Sequence, residues 1–349
     1  MDFLGHKIKG RMVVASCPAT ENLENIIECE KNGAIAVILK SASSVRLNDR
    51  GKRRCVLDKE KSLFWCESGF DREIMEISKA VKLAKEAVHK TKLLIIPSIT
   101  ETSLNPEIWL KDCKMMEEAG VHGIQLDFFY FPELMAEDGF NEHFVTLLKT
   151  LISKCSVPIM PKLSRCFPEV YISKLLKEAG VKYVSLLDSV KVPKPAGSDL
   201  TGNSLSVFGN WMFNLTRQYT SVLSKEGFQV CAGGGVVSEK EASELIRLGA
   251  NTIQIATEVL LNGYKRLSEI EAKLEENLHQ EEAGYTGDRI ITFNAKKCVG
   301  CGKCMEQSFC NVVKRFMTDG DNTSCEGCGL CSQLCENGAL KMVEKIKIL

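Results

Sequence analysis

The sequence predicts an α/β protein in two parts: a (β/α)8 barrel of eight parallel strands with crossing helices, then a small cysteine-rich α+β domain. Two observations carry the barrel. Short apolar runs alternate with longer amphipathic ones from residue 1 to about residue 264, and a helix-ending glycine recurs just ahead of several runs. A third observation carries the small domain: eight of the sixteen cysteines crowd between Cys298 and Cys335, beyond the last run.

The apolar runs fall at 12–16, 34–40, 92–98, 123–128, 157–164, 181–187, 228–234 and 251–257. Each is rich in Val, Ile and Leu without strict polar alternation, the composition of parallel strands covered on both faces. Most are separated by enough chain for a helix that crosses back over the sheet. Gly33, Gly120, Gly180 and Gly249 each follow a helical pattern, where a left-handed residue closes a helix. Eight such units make a barrel; an open doubly wound sheet is the alternative. Two stretches break the repeat. Residues 41–71 follow the second strand with a run of charge plus Phe64 and Trp65, and residues 190–208 follow the sixth with Pro193, Pro195, Gly197 and Gly202. Both follow strand C-termini, the face on which barrel enzymes work, so both are functional candidates. The barrel is therefore expected over 1–264, a helical linker over 265–290 and the cysteine domain over 291–349.

Lysine plus arginine balance aspartate plus glutamate at 45 each, so no net field favours nucleic acid or an anionic membrane. No apolar run reaches the length of a membrane span, and the N-terminus lacks the apolar core of a signal peptide. The cysteines outside the cluster show no framework spacing and suit a reducing cytoplasm as small buried residues.

The clustered cysteines form two runs. Cys298, Cys301 and Cys304 stand at Cys-x2-Cys-x2-Cys spacing and are followed by Cys310; Cys325, Cys328 and Cys331 repeat the spacing and are followed by Cys335. Three thiolates so spaced can wrap three irons of a cubane, and the fourth ligand comes from the other run. The expected sets are Cys298, Cys301, Cys304 and Cys335 for one 4Fe-4S cluster, and Cys310, Cys325, Cys328 and Cys331 for the second. Zinc also uses paired hooks but needs no third cysteine at the same spacing. Five residues separate Cys304 from Cys310 where the bacterial ferredoxin pattern has three, and Asn311 and Glu336 stand where it has proline. The clusters imply electrons moved one at a time.

In the barrel, Lys40 ends the second strand and Lys162 lies near the end of the fifth, both in apolar context. An unpaired buried ammonium is costly. Either these lysines form ion pairs with Asp127 or Asp188, or they meet a cofactor that takes up negative charge, as reduced flavin does at its N1–C2=O edge. Gly233, Gly234 and Gly235 end the seventh strand, ahead of a helix start, where phosphate sites recur in barrels. No GxGxxG follows a strand, so a dinucleotide site of that kind is not indicated. His122 precedes the fourth strand on the opposite face and reads as structural.

With these segments on the page, residues 1–264 resemble the FMN barrel of the dihydroorotate dehydrogenases and, more closely, the dihydropyrimidine dehydrogenase branch. That branch likewise fuses the barrel to a two-cluster ferredoxin domain. The resemblance rests on Val14 to Thr20, Leu39-Lys40-Ser41, Pro97-Ser98-Ile99, Pro161-Lys162-Leu163-Ser164, Gly234-Gly235-Val236 and Gln254-Ile255-Ala256-Thr257. It implies FMN contacts at Ala15, Ser16, Lys40, Ser98, Lys162, Ser189, Gly234, Gly235, Ala256 and Thr257. The family's catalytic loop after strand four carries a cysteine as acid/base; here Leu126 to Pro132 has none, and Tyr130 or, after strand five, Cys166 is left to fill that role. Two asparagines that face the family's substrate appear as Asp127 and Asp188. A carboxylate only accepts hydrogen bonds, which favours a ligand rich in N–H donors, or a cationic one. The resemblance implies a cytoplasmic oxidoreductase interconverting a double bond and its dihydro form in a small polar heterocycle. The clusters would exchange electrons with a partner, and the resemblance implies as donor an NAD(P)H-oxidising flavoprotein subunit or a ferredoxin, with homo- or hetero-oligomers in view. The alternative is an electron-transfer subunit whose barrel turns over no substrate.

Overall fold

The computed structural model describes residues 1–44, 55–58, 63–68, 74–128, 135, 138–193, 196, 204–279, 289–308 and 310–344. The chain divides into two compact units, Met1–His279 and Gln280–Leu349.

In the first unit, parallel strands form where the apolar runs lie: β1 Met12–Val14, β2 Ala36–Ile38, β3 Leu94–Ile96, β4 Ile124–Asp127, β5 Ile159–Lys162, β6 Tyr183–Ser185, β7 Gln229–Gly233 and β8 Thr252–Ile255. Their pairings follow chain order and return to the start. Val13 of β1 lies opposite Ala36 of β2, Val37 opposite Ile95 of β3, Asp127 of β4 opposite Lys162 of β5, Lys162 opposite Ser185 of β6, Ser185 opposite Cys231 of β7, Ala232 opposite Ile253 of β8, and Gln254 opposite Val13. Between β3 and β4 the link is Ser98–Ile99, where β3 resumes after Pro97, with Ser98 opposite Gln125. Proline has no N–H for the ladder, so the strand breaks there. The ring of neighbours is consistent with a closed barrel; an open sheet would end in two unpaired edges.

The helices are α1 Leu23–Lys31, α2 Ile77–Lys90, α3 Pro106–Glu117, α4 Phe140–Lys154, α5 Glu169–Glu178, α6 Phe213–Lys225, α7 Glu239–Arg247, α8 Thr257–Asn262 and α9 Lys265–His279. Asn22, Asn105 and Ser238 cap α1, α3 and α7 by accepting first-turn amides. Gly33, Gly120, Gly180 and Gly249 close their helices at φ of 90°, 77°, 77° and 103°, the left-handed conformation expected from their spacing.

A hairpin of Asp2–Phe3 and His6–Lys7 drives Phe3 and Leu4 among Val13, Ala36, Ile38, Ile96, Met160 and Cys231, which fills the barrel at the N-terminal ends of its strands. Gly123, just ahead of β4, makes the room: a Cβ there would lie 2.7 Å from Leu4 Cδ1. His122 is structural on the same end. Its Nδ1 accepts the Ile95 N–H at 3.0 Å, and burial followed by His6 holds it below the usual imidazole range. Helix α9 falls in the stretch read from sequence as linker, yet it lies within the first compact unit. Its Leu267, Ile270 and Leu274 are buried, and Glu271 accepts the Arg11 N–H at 3.1 Å.

The two excursions that break the repeat meet each other. Val190–Pro193, Ser204–Gly209, Leu63–Ser68 and Cys55–Asp58 form, in that order, a four-stranded antiparallel sheet, with Val207 opposite Trp65 and Leu57 opposite Phe64. Both excursions leave C-terminal ends of barrel strands.

The second unit is α+β. Strand β9 Arg289–Phe293 pairs antiparallel with β10 Leu340–Glu344, and α10 Lys303–Glu306, α11 Asn311–Asp319 and α12 Leu330–Gln333 lie between them in sequence. Ile291, Val313, Cys331 and Leu340 form its small apolar core.

Candidate active site

A cleft of about 570 Å³ opens at the C-terminal ends of β1, β5, β6, β7 and β8. It is lined by Ala15 and Ser16 after β1, Lys162 of β5, Leu186 to Asp188 after β6, Gly234 to Val237 after β7, and Gln254 to Thr257 at the end of β8. Phe208 and Gly209 of the antiparallel sheet close one side. The cleft thus gathers Ala15, Ser16, Lys162, Asp188, Gly234, Gly235, Ala256 and Thr257. Lys40, Ser98, Ser189, Asp127 and Cys166 are not part of its lining.

Lys162 and Asp188 form an ion pair at 2.9 Å, with side chains 13% and 11% exposed. Asp188 Oδ1 also accepts the Ser189 N–H at 2.7 Å, which fixes the carboxylate. Of the two readings made from sequence, the ion pair is present, with Asp188 as partner, and Lys162 also lies in the cleft wall. Both Lys162 and Lys40 act on the Cys17 thiol; burial pushes it up to about 11 against their pull. The two cations thus stand within electrostatic range of one point after β1. The peptide between Leu186 and Leu187, in the cleft wall, is cis.

Asp127 ends β4 and is 1% exposed. Ser41 Oγ donates to its Oδ2 at 2.7 Å. A hydroxyl has one proton, so Ser41 must accept from Ser98 (3.2 Å) and from Ser16 (3.4 Å). Ser98 in turn accepts from Gln125 Nε2 at 3.0 Å. The chain of hydroxyls therefore points its donors at Asp127 and ties Ser16, at the cleft, to Ser98 beneath it.

The glycine turn after β7 is shaped by packing. Gly234 and Gly235 have φ of 104° and 89°, and a Cβ would lie 2.9 Å from Thr216 Oγ1 at the first and 2.6 Å from Phe213 N at the second. Thr216 Oγ1 donates to Gly234 O at 2.6 Å and Asn210 Nδ2 to Gly235 O at 2.8 Å, so the carbonyls are pinned toward the protein. Among the described residues, neither glycine amide donates to a carbonyl or side chain. Ala256 at the N-cap of α8 offers no capping side chain. Amides without a protein acceptor among the described residues, and a lysine in the same cleft, fit a phosphate-bearing cofactor. Thr216 and Asn210 were not legible as site residues, because a single threonine or asparagine on a helix carries no positional signal.

Cys166 is half-buried, packed against the core near Tyr219, whose hydroxyl donates to Phe167 O. Tyr130 lies outside the described residues. Phe128, two residues before it in the chain, packs at 5.2 Å from Trp109 and 5.4 Å from Phe144.

In the second unit, Cys298, Cys301, Cys304 and Cys335 line one pocket, and Cys310, Cys325, Cys328 and Cys331 line another. Each quartet draws one member from the opposite run, because β9 and β10 bring the ends of the unit together. Gly300 N–H donates to Cys298 Sγ at 3.4 Å and Ala339 N–H to Cys335 Sγ at 3.2 Å. Burial, then Cys325, Cys310 and Cys328, push the Cys331 thiol up to about 11. Crowded thiols with amide donors on sulfur suit a cluster that takes them as thiolates. Among the described residues, no three His, Cys, Asp or Glu side chains are grouped to hold a single metal ion.

Fold and cleft together define an α/β protein with a cleft at the C-terminal ends of its parallel strands and a second, cysteine-rich unit. No protein-family model matches the chain. It is distantly similar, at 22% identity over 98% of its length and 94% of theirs, to subunit PreA of the NAD-dependent dihydropyrimidine dehydrogenase from two Escherichia coli strains, K12 and O157:H7. It is also 27% identical, over 79% of its length and 92% of the relative, to the catalytic subunit of dihydroorotate dehydrogenase B (NAD(+)) from Thermoplasma volcanium. The chain is thus distantly similar, over most of its length, to subunits of dihydropyrimidine and dihydroorotate dehydrogenases. Among the described residues, no helix is long and apolar enough to cross a membrane.

Proposed function

We propose that the chain is an iron–sulfur flavoprotein oxidoreductase that interconverts a CH–CH (or CH–NH) bond and the corresponding double bond in a small polar heterocycle. One observation carries this reading: Lys162, the Gly234–Gly235 turn and the uncapped start of α8 meet in one cleft at the C-terminal ends of the strands. Gly234, Gly235, Ala256 and Thr257 would hold the phosphate of FMN; Ala15, Ser16, Lys40, Ser98, Lys162 and Ser189 would surround the rest. When bound, FMN supplies two-electron exchange with substrate, and two 4Fe-4S clusters, held by the two cysteine quartets, supply single-electron transfer.

The chain's own groups do the remainder. Lys162 presents a cation that its pairing with Asp188 holds in place. Asp127 and Asp188 accept hydrogen bonds and give none when ionised, so they suit a substrate that offers N–H groups. Tyr130 and Cys166 are the candidates for moving a proton. The subunit naming of the Escherichia coli relatives favours a partner, here an NAD(P)H-oxidising flavoprotein subunit or a ferredoxin, in the cytoplasm.

The test is to purify the protein anaerobically, assay flavin, iron and acid-labile sulfide, reduce it, and add pyrimidine-type acceptors. Reoxidation of the flavin band by such a compound is expected. Protein that takes up no FMN, or a tail that holds zinc, overturns the reading. Reoxidation by redox proteins but by no small molecule would instead identify an electron-transfer subunit. Asp188→Asn should shift preference away from donor-rich rings; unchanged preference sinks that part.

A further inference from the structure

Helix α9, read from sequence as a linker helix, carries a side chain that reaches two walls of the cleft from behind. Leu267, Ile270 and Leu274 bury one stripe of the helix, and Glu271 accepts the Arg11 N–H at 3.1 Å just ahead of β1. The helix is thereby fixed in the first unit, and it places its second residue, Arg266. The Arg266 guanidinium spreads over three partners. Its Nε donates to Glu258 Oε1 at 2.6 Å, its Nη2 to Val237 O at 2.8 Å and its Nη1 to Glu269 of the same helix.

Two of these partners belong to different walls. Val237 lines the cleft just beyond the glycine turn that follows β7. Glu258 follows Thr257, which lines the cleft after β8. Thr216 and Asn210 hold the glycine turn through Gly234 O and Gly235 O. Arg266 holds the same segment two residues further on, and its fork also fixes the start of α8. A guanidinium suits this task because its donors lie in one rigid plane. Glu258 is 4% exposed, and its other donor among the described residues is Asn262 Nδ2 at 3.0 Å. An unpaired buried carboxylate one residue from Thr257 would be costly and would repel a bound phosphate; the pairing with Arg266 offsets that charge.

We propose that Arg266 is a positioning residue for phosphate binding: it bridges the segment after β7 to the start of α8 and so keeps Gly234, Gly235, Ala256 and Thr257 at one spacing. The proposal rests on the reading of this cleft as an FMN site. Arg266 is not part of the cleft lining, so it acts through Val237 and Glu258. Loss of the bridge loosens the grip on the phosphate and leaves the contacts of the ring and ribityl chain in place. A flavin with phosphate and one without it therefore separate this role from a general loss of fold.

The full-length protein, freed of flavin by anaerobic dialysis against potassium bromide, is titrated with FMN and with riboflavin, and binding is read from quenching of flavin fluorescence. In Arg266→Ala the preference for FMN over riboflavin should fall by about tenfold, the worth of about one hydrogen bond to a charged group, with riboflavin binding itself unchanged. Arg266→Ala leaves Glu258 buried and unpaired, so the double variant Arg266→Ala, Glu258→Gln is titrated beside it. The amide removes the buried charge but leaves Val237 O without its donor. This double variant, folded by circular dichroism, should still prefer FMN less than the wild type does. A double variant that regains the full wild-type preference overturns the bridge. So does an Arg266→Ala protein that loses both flavins alike, or neither. Wild-type protein that binds neither flavin overturns the reading of the cleft itself, and the proposal with it.

Discussion

Replacing Glu101 by glutamine should remove a pH dependence from the stability of the barrel unit. Glu101 follows the continuation of β3 and is 2% exposed; Asp112, in α3, is 0% exposed. Glu101 Oε1 accepts from Ser43 Oγ at 2.9 Å, and Asp112 Oδ2 from the Ser44 N–H at 2.8 Å. The remaining oxygens, Glu101 Oε2 and Asp112 Oδ1, are buried without a donor from any other described residue. A single proton shared between the two carboxyls satisfies both. Burial, then the Asp112 carboxylate, accordingly pushes Glu101 from 4.5 up to about 8. The folded chain therefore carries one proton more than the unfolded chain between these two values. The stabilisation is fully present below the lower one and is lost as pH rises through the upper one. Inside the window the slope is at most about 1.4 kcal/mol per pH unit. Between about pH 5.5 and about pH 7.5 this amounts to roughly 2.7 kcal/mol lost by the wild type. Glutamine keeps the Oε1 acceptor and offers Asp112 an N–H that does not titrate, so Glu101→Gln should lose none of it. Urea unfolding followed by circular dichroism at the two pH values measures both, and subtraction cancels every group the proteins share. Equal slopes for wild type and variant would refute the shared proton.

Two further substitutions test packing. Gly235→Ala should cost about 2–4 kcal/mol and reduce flavin retention, because its Cβ would meet backbone atoms that cannot move aside, Phe213 N at 2.6 Å and Asn210 O at 3.0 Å. Gly180→Ala is the control: its φ is also positive, but nothing lies within 4 Å of a Cβ, so thermal melting should report only about 1 kcal/mol. Arg266→Ala should destabilise the first unit by about 3–5 kcal/mol, because Glu258 is 4% exposed and, among the described residues, would keep only Asn262 Nδ2 as a donor at 3.0 Å. Adding Glu258→Gln should recover part of that loss in the same melt, and no recovery would mean that the ion pair is not what Arg266 contributes.

The strands and the helix ends were legible because their signals are local. A buried parallel strand needs a short run such as Ile124–Asp127, and a left-handed helix end needs a glycine such as Gly180, wherever the rest of the chain goes. The cysteine runs were legible for the same reason, since ligand spacing is a property of a few consecutive residues. Pairing across the chain was not. Residues 63–68 and 204–209 each read as part of a long excursion, and only their common position above the barrel made them neighbouring strands. Helix α9 was expected as a helix but read as a polar linker helix, because only one stripe of it, Leu267, Ile270 and Leu274, is buried.

Sequence alone determined where strands start, which helices end in glycine, and that eight thiols stand in two ligand-spaced runs. Tertiary structure decided that Lys162 pairs with Asp188, that Ser16, Ser41 and Ser98 relay their donors to Asp127, and that Gly234 and Gly235 are glycines because a helix start packs against them. Periodicity and spacing act through covalent neighbours, whereas a partner across the barrel is set by the closure of the sheet, which no window of the chain contains.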